Sequence, residues 1–111
     1  MSKDFRIGWL LLLLRNGPGY GYDLRRALHA RQLNFDRAVI YRGLRDMERA
    51  GLIASTWTDS AAGPRRRVYI LTQAGHGELS RIADELRATR AEHDAFLRAY
   101  DAPDATPASE L

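Results

Sequence analysis

Hydrophobic residues in the first half of the chain are spaced as they are in short helices. Residues 5–15 are apolar almost all round, which is typical of a helix buried at the centre of a small domain. The breaker run Asn-Gly-Pro-Gly at 16–19 ends this segment. A second helix is predicted over residues 20–31 and a third over residues 37–50.

The third predicted helix has one apolar face and one basic face. Ile40, Leu44 and Met47 are spaced at i, i+4 and i+7, so they share a single stripe. Asp36 is the predicted N-cap, and Gly51 stands where a helix commonly ends. The opposite face carries Arg37, Tyr41, Arg42, Arg45 and Arg49.

The hydrophobic period changes from helical to alternating after residue 51. Residues 52–58 and 65–71 are rich in β-branched and aromatic residues, and small and breaker residues lie between them at 59–64. This pattern predicts a two-stranded β-hairpin, in which Trp57 is expected to pack against Tyr69. The second strand opens with three consecutive arginines, Arg65, Arg66 and Arg67.

A long fourth helix is predicted from residue 73 to about residue 101, with Thr72 as its cap. Two sets of positions repeat every seven residues along it, namely Leu79, Leu86, His93 and Tyr100, and Ile82, Thr89 and Phe96. Together these positions form one largely apolar stripe, which we call the seam of the fourth helix. Because so small a domain cannot cover the seam alone, a second copy of the chain is expected to bury it. The expected dimer contacts are Leu79, Ile82, Leu86, Phe96 and Tyr100.

The composition narrows the class of protein. The 111 residues leave room for one domain, and 45% hydrophobic with 28% charged residues is ordinary globular composition. The absence of cysteine excludes disulfides and thiolate metal sites. The apolar run at 7–14 is far shorter than the roughly 20 residues of a membrane-spanning helix. With no signal peptide visible, a cytoplasmic location is expected.

The charge of the chain is unevenly distributed. Residues 1–75 hold 13 Lys and Arg against 6 Asp and Glu, whereas residues 76–111 hold 4 against 8. The net charge of +3 is therefore the sum of a basic module and an acidic one. A basic globular domain favours a polyanionic partner, usually nucleic acid, although a solvated Arg-rich surface gives the same composition.

Three short helices followed by a hairpin is the element order of a winged helix-turn-helix. A helix fits the major groove of B-DNA, and a hairpin reaches the flanking backbone or the minor groove. We therefore expect a mainly α fold with a small β-hairpin (α+β). Residues 1–72 would form the DNA-binding domain, residues 73–101 the dimerisation helix, and the Pro- and Ala-rich residues 102–111 a disordered tail.

Three sequence motifs resemble those of PadR-like regulators. Residues 17–24, GPGYGYDL, are similar to the pattern G-P-x-H-G-Y-E-[IL]. Residues 39–53, VIYRGLRDMERAGLI, are similar to T-L-Y-P-A-L-x-x-L-E-x-x-G-L-I. Residues 63–75, GPRRRVYILTQAG, are similar to G-P-x-R-[KR]-x-Y-x-L-T-x-x-G. The three motifs occur in the family's order and together cover roughly residues 7–80.

The resemblance implies a homodimeric transcription factor, typically a repressor, with the last helix as the dimer contact. It also implies that a small molecule acts as inducer, a property that varies among members. Three features depart from the family pattern: Tyr20 replaces a His, Asp36-Arg37-Ala38 replaces the Ser/Pro-Gly approach to the third helix, and Arg42 replaces a Pro. The last change adds a cation to the DNA-facing side.

The predicted DNA contacts combine the basic face of the third helix with the arginines of the hairpin. Tyr41 is placed either to donate to a phosphate oxygen or to pack on the second helix. At least one of the helix arginines is expected to contact a base edge, although Arg45 could instead pair with Asp46 or Glu48. The full set is Arg37, Ala38, Tyr41, Arg42, Arg45, Arg65, Arg66 and Arg67.

Aromatic residues near the two ends of the fold are the candidates for binding a small aromatic effector. Phe5 and Trp9 lie one turn apart on the first helix, and His93 and Phe96 lie on the fourth. Plain core packing for Trp9 and a register-setting role for His93 are the simpler interpretations. The chain has no Trp in its fourth helix, so it lacks the aromatic stacking device of one branch of the resembled family.

Enzymatic functions find no support in the sequence. We find no nucleophile paired with a base, no convincing carboxylate pair, and no phosphate-binding loop, so no cofactor and no metal are expected. Two hypotheses remain: a dimeric DNA-binding repressor, and a winged-helix module that binds an acidic protein with the same face. The arginines of the third helix and of the hairpin favour DNA.

Overall fold

The computed structural model describes residues 3–60 and 63–103 and contains four helices and one small sheet in that part of the chain. This architecture confirms the predicted mainly α fold with a hairpin and a long last helix. The elements are α1 (Lys3–Arg15), β1 (Gly19–Tyr20), α2 (Gly21–Ala30), α3 (Arg37–Arg49), β2 (Ile53–Ser60), β3 (Gly63–Leu71) and α4 (Gln73–Asp101).

Several boundaries differ from those predicted, chiefly at the start of α2 and in the hairpin. Tyr20 is the second residue of a short strand rather than the first residue of α2. This strand exists only because Gly19 and Tyr20 pair with Tyr69 and Val68, a long-range contact that local periodicity does not contain. The hairpin is also longer than predicted, since β3 begins at Gly63. Residues 61–62 of the predicted turn and residues 104–111 of the predicted tail lie outside the described residues.

The sheet has the strand order β1-β3-β2, and both pairs are antiparallel. In the β2–β3 ladder Trp57 lies opposite Arg67, and Ser55 lies opposite Tyr69. The aromatic pair predicted between Trp57 and Tyr69 is therefore not formed across the ladder. Tyr69 is instead a core residue at 6% exposure, whereas Trp57 is 53% exposed.

The hydrophobic core lies where α1, α2, α3 and the base of the sheet meet. Its buried members are Leu10, Leu11, Leu14, Leu24, Leu28, Ile40, Leu44, Met47, Ile53, Tyr69 and Ile82. The stripe predicted on α3 is confirmed, because Ile40, Leu44 and Met47 are each no more than 1% exposed. Tyr22 of α2 lies outside this core and is 62% exposed.

Helix α4 begins at the predicted residue and is capped as expected. The Thr72 hydroxyl accepts a hydrogen bond from the Gly75 amide at 3.0 Å and donates to the Gly51 carbonyl at 2.7 Å. Only the first turns of α4 pack on the domain, chiefly against α1. The rest of the helix extends away, which gives the molecule a longest dimension of 73 Å.

The predicted seam of α4 changes character along the helix. Ile82 is 4% exposed and belongs to the core of its own chain, close against Gly8 of α1. By contrast Leu86, Phe96 and Tyr100 are 43%, 69% and 77% exposed. The second half of the seam is therefore the part that a single chain leaves uncovered.

The first turn of α4 approaches the end of α3 and the sheet so closely that only a glycine fits at position 75. A Cβ there would lie 2.1 Å from the Leu52 carbonyl oxygen and 2.4 Å from Cδ1 of Leu71. Since a backbone carbonyl cannot move aside cheaply, either the helix or the strand end must shift. Gly77, two residues along the same helix, has nothing within 4 Å of such a Cβ.

We therefore expect opposite effects from two glycine-to-alanine changes. Gly75→Ala should lower the free energy of unfolding by about 3 kcal/mol, the upper range for overpacking. Gly77→Ala should leave it unchanged or raise it by up to about 1 kcal/mol through helix propensity. Urea denaturation at one fixed protein concentration measures both, and equal effects from the two variants would contradict the close approach.

Candidate nucleic-acid interface

The outer face of α3 is held towards solvent by the burial of its opposite stripe. Arg37, Ala38, Arg42 and Arg45 are all exposed, as the sequence predicted. Asp36 is the N-cap residue, with extended backbone angles, but its side chain makes no capping hydrogen bond. The orientation of the helix therefore depends on core packing rather than on its cap.

Tyr41 lies at the edge of this face and packs against the start of α2. A Cβ built on Gly21 would lie 2.6 Å from the Tyr41 ring and 2.7 Å from its hydroxyl oxygen. The absence of a side chain at position 21 is what lets the tyrosine lie on the α2 backbone. Packing on α2 and access to the interface, posed as alternatives from the sequence, are thus combined in one half-buried side chain.

A groove with a volume of about 770 Å³ lies between α2, α3 and the hairpin, and we call it the basic groove. Its cationic side chains are Arg26, Arg37, Arg65, Arg66 and Arg67. Its aromatic side chains are Tyr20, Tyr22, Tyr41, Trp57 and Tyr69. Asp23 is its one acidic lining residue, so the groove is strongly positive. A shallower depression beside it is lined by Arg37, Ala38, Tyr41 and Arg45.

The arginines of the groove rest on its aromatic rings. The guanidinium carbons of Arg26, Arg37 and Arg66 lie 5.7, 5.6 and 5.5 Å from the ring centroids of Tyr22, Tyr41 and Tyr20, respectively. On the hairpin, the guanidinium groups of Arg65 and Arg67 lie 6.0 and 5.4 Å from the ring of Trp57. Such cation–π contacts restrict the guanidinium groups while leaving their charge in place.

Arg67 differs from its two neighbours because it is bound inside the protein. Its Nε donates to the Ser55 hydroxyl at 2.7 Å, and its Nη2 donates to the Glu48 carboxylate at 3.3 Å. Ser55 in turn donates to the other Glu48 oxygen at 2.6 Å. Glu48 lies in the last turn of α3, so this network joins the hairpin to the end of the helix. We call it the Glu48–Arg67 bridge.

Arg65 and Arg66 have weaker internal ties. Arg65 lies 3.5 Å from the Asp59 carboxylate, but both side chains are largely in solvent, where such a pair contributes little. Arg66 contacts the Tyr20 ring. The three arginines that the sequence treated alike therefore present different amounts of free charge. Residues 61–62 of the predicted turn lie outside the described residues.

Tyr69 forms the floor of the groove beneath the bridge. Burial raises the pKa of its phenol above the ordinary value, although the nearby Arg67 charge offsets part of that effect. The phenol is therefore neutral at physiological pH. Tyr69 is a packing residue that places β3, and not a source of charge in the groove.

Arg42 lies outside the basic groove. It lines a separate cavity between α1 and α3 together with Arg6. Of the eight predicted DNA contacts, the other seven line the groove or the adjoining depression. Seven lining residues of the groove were not among the predicted contacts, and they include Tyr20, Tyr22, Arg26 and Trp57. Their only signal in the sequence is the regular recurrence of aromatic residues near arginines.

The predicted effector residues are only partly brought together. Phe5 and Trp9 pack edge to face, with centroids 6.3 Å apart, and line a cavity of about 240 Å³ between α1 and α4. The Trp9 Nε1 is buried with no hydrogen-bond partner among the described residues. His93 and Phe96 do not line this cavity. They lie about 10–15 Å further along α4 than Leu86, which does.

None of the helices in the described part of the chain has an apolar stretch long enough to cross a membrane. Residues 3–60 and 63–103 contain no group of three or more side chains suited to hold a metal ion.

Several solved structures have a similar fold. A PadR family transcription regulator from Clostridium difficile is 28% identical with a TM-score of 0.74, over 82% of this chain and 97% of that one. A PadR-like transcriptional regulator from Bacillus cereus is 26% identical with a TM-score of 0.72, over 82% and 89% of the two chains. A transcriptional regulator from Clostridium thermocellum is 21% identical with a TM-score of 0.76, over 85% and 94%, and supports the fold alone.

A comparison with curated protein sequences gives no significant match. The family model of the transcriptional regulator PadR-like family, however, matches residues 10–81. This range covers more than half of the chain and includes α2, α3, the hairpin and the start of α4. The chain belongs to the PadR-like family of transcriptional regulators.

Proposed function

We propose that this chain is a homodimeric repressor that binds double-stranded DNA at an operator with two half-sites. The observation that carries the proposal is the alignment of the α3 outer face with the basic groove. Arg37 and Tyr41 line both the groove and the depression on α3, so a ligand along α3 also meets the hairpin arginines. Membership of a family of transcriptional regulators supports a DNA partner.

The dimensions of α3 suit the proposed role. Its 13 residues make a rod of about 20 Å, and the major groove of B-DNA, about 12 Å wide, admits a helix. With α3 in the major groove, the basic groove would face one flanking phosphate backbone. Arg37 and Arg45 would then be near base edges, and Arg65 and Arg66 near phosphates. Acting on chromosomal DNA places the protein in the cytoplasm.

The two remaining parts of the proposal concern assembly and control. The exposed half of the α4 seam would bind the same half of a second copy, with Leu86, Phe96 and Tyr100 at the contact. A small aromatic effector would enter the cavity beside Phe5 and Trp9. His93 and Phe96 could join that site only from the partner chain, because they lie too far along α4 in their own.

A gel-shift experiment with Tyr41→Phe tests whether α3 contacts DNA. Fragments of the DNA upstream of the chain's own reading frame should shift in the presence of competitor DNA, at two salt concentrations. If the Tyr41 hydroxyl holds a phosphate, Tyr41→Phe should weaken binding about tenfold with little change in thermal stability. If Tyr41→Phe binds DNA as tightly as wild type, the Tyr41 hydroxyl does not contact a phosphate. If wild type shifts none of the fragments, an acidic protein is favoured as the partner instead.

The Glu48–Arg67 bridge predicts whether Glu48→Gln weakens or strengthens DNA binding. We expect Arg67 to position the hairpin through Glu48, so Arg67→Gln and Glu48→Gln should both weaken binding to operator DNA. If Arg67 were instead a phosphate clamp, removing the neighbouring negative charge in Glu48→Gln would strengthen binding while Arg67→Gln weakened it.

Arg66 is the matched control for the bridge, because it is the adjacent arginine and makes no ion pair among the described residues. Arg66→Gln should weaken binding to operator and random DNA alike. It should also reduce the slope of log affinity against log salt by about one, which is the effect of losing one phosphate contact. Fluorescence anisotropy over a salt series measures all three variants.

The dimer is tested by a charge placed in the exposed seam. Leu86 is 43% exposed in one chain, so Leu86→Asp should be tolerated by the fold but should prevent the second copy from binding. Ala91→Asp, an exposed position of α4 off the seam, is the control and should stay dimeric. Sedimentation at micromolar concentration distinguishes them, and a monomeric wild type would refute the proposed assembly.

A further inference from the structure

The cavity between α1 and α3 has an apolar interior and a basic rim. Its volume is about 270 Å³, which is several times the roughly 30 Å³ that one water molecule occupies in the liquid. Ile7, Leu10, Phe35 and Val39 are among the apolar side chains that line it. Leu10 is a buried core residue, and Ile7 and Phe35 are partly buried and pack against the core. Val39 is partly buried.

Gly43 of α3 is part of the cavity wall, where α3 faces Leu10 of α1. A Cβ built on Gly43 would lie 3.3 Å from Cδ1 of Leu10, so even one added carbon would crowd the cavity. Positions 42 and 43 are Arg and Gly here, where the motif quoted above has Pro and Ala. Arg42, one of the two cations of the cavity, is thus a departure from that motif.

Two arginines from different helices line this cavity. Arg6 of α1 and Arg42 of α3 both contribute to its wall, and neither makes an ion pair with any residue that the structure describes. The cavity also contains one carboxylate, Asp46. That carboxylate lies 3.7 Å from the Arg49 guanidinium, which offsets its charge. The balance at the rim is therefore positive.

We propose that this cavity binds a small organic anion, with an apolar ring or short chain inside and one carboxylate between Arg6 and Arg42. An apolar pocket with a few convergent polar groups is the usual form of a small-molecule site. A carboxylate is the natural ligand of guanidinium groups, which can hold it through two parallel hydrogen bonds. The site differs from the cavity beside Phe5 and Trp9, which lies against α4.

The ligand would compete with DNA for Arg42. This side chain is exposed on α3 and is one of the DNA contacts predicted from the sequence, although it lies outside the basic groove. A carboxylate that holds it over the α1–α3 cavity would withdraw it from that face and place a negative charge beside the recognition helix. This second step rests on the proposed function, whereas binding of the anion does not.

Calorimetric titration with phenylacetate and with 2-phenylethanol tests the binding step. The two probes have a similar apolar body and differ in charge. Phenylacetate should bind with a dissociation constant of the order of a millimolar, as expected for about ten heavy atoms. The neutral alcohol should bind at least about tenfold more weakly, because it lacks the charge-assisted hydrogen bonds.

Four variants locate the site. Arg6→Gln and Arg42→Gln should each weaken phenylacetate binding by about fivefold to tenfold. Val39→Phe should abolish binding by filling the cavity, with thermal unfolding as the check of its fold. Ala83→Leu crowds the other cavity, between α1 and α4, and should leave binding unchanged. If Val39→Phe fails to fold, the two arginine variants and the neutral probe still decide the result.

Several outcomes would overturn the proposal. The first is that no heat of binding is seen at tens of millimolar phenylacetate. The second is that the neutral alcohol binds as tightly as phenylacetate. The third is that Ala83→Leu loses phenylacetate binding while Arg6→Gln binds as well as wild type. The competition step is measured separately, as the effect of phenylacetate on DNA affinity at constant ionic strength. Phenylacetate should weaken DNA binding by wild type and much less by Arg6→Gln. If phenylacetate binds but does not change the affinity for DNA, the anion site is confirmed and the proposed competition with DNA is wrong.

Discussion

The interface depends on the burial of one stripe of α3. Ile40, Leu44 and Met47 are almost completely removed from solvent, and each such burial contributes roughly 1.5–3 kcal/mol. Because a helix turns 100° per residue, this stripe fixes the direction of every other side chain on α3. Ala38 and Arg45 must then point outward, whatever their own partners. The N-cap adds little, since the Asp36 side chain makes no hydrogen bond there.

The sequence could predict the features that follow from local periodicity. The bounds of α4, the buried stripe of α3 and the Thr72 cap all agree with the structure, because each depends on residues within a few positions of one another. Long-range contacts were beyond such reasoning. β1 is two residues long and exists only through pairing with β3. The Glu48–Arg67 bridge joins residues 19 positions apart, and no spacing rule indicates it.

The same limit explains why the site was predicted only in part. A helical wheel places Arg42 on the exposed face of α3, but only the position of α1 shows that it borders a cavity with Arg6. Consecutive arginines in a strand point to alternate faces, so Arg66 meets Tyr20 while Arg65 and Arg67 share Trp57. Within the described residues, Arg67 therefore belongs to an internal bridge, Arg65 to a weak exposed ion pair, and the Arg66 guanidinium contacts the Tyr20 ring.

The long helix α4 has a mechanical consequence. Its first turns are fixed by Gly75, Ile82 and the Thr72 cap, and the helix then continues for about 28 Å from Ile82 to its end. Over that length, a tilt of about 5° at the base displaces Tyr100 by about 2–3 Å. In a pair of chains joined at the far end of α4, the same tilt would change the separation of the two α3 helices. Successive major grooves on one side of DNA lie about 34 Å apart, so in the proposed dimer the stiffness of the α1–α4 contact would set how well two half-sites are reached at once.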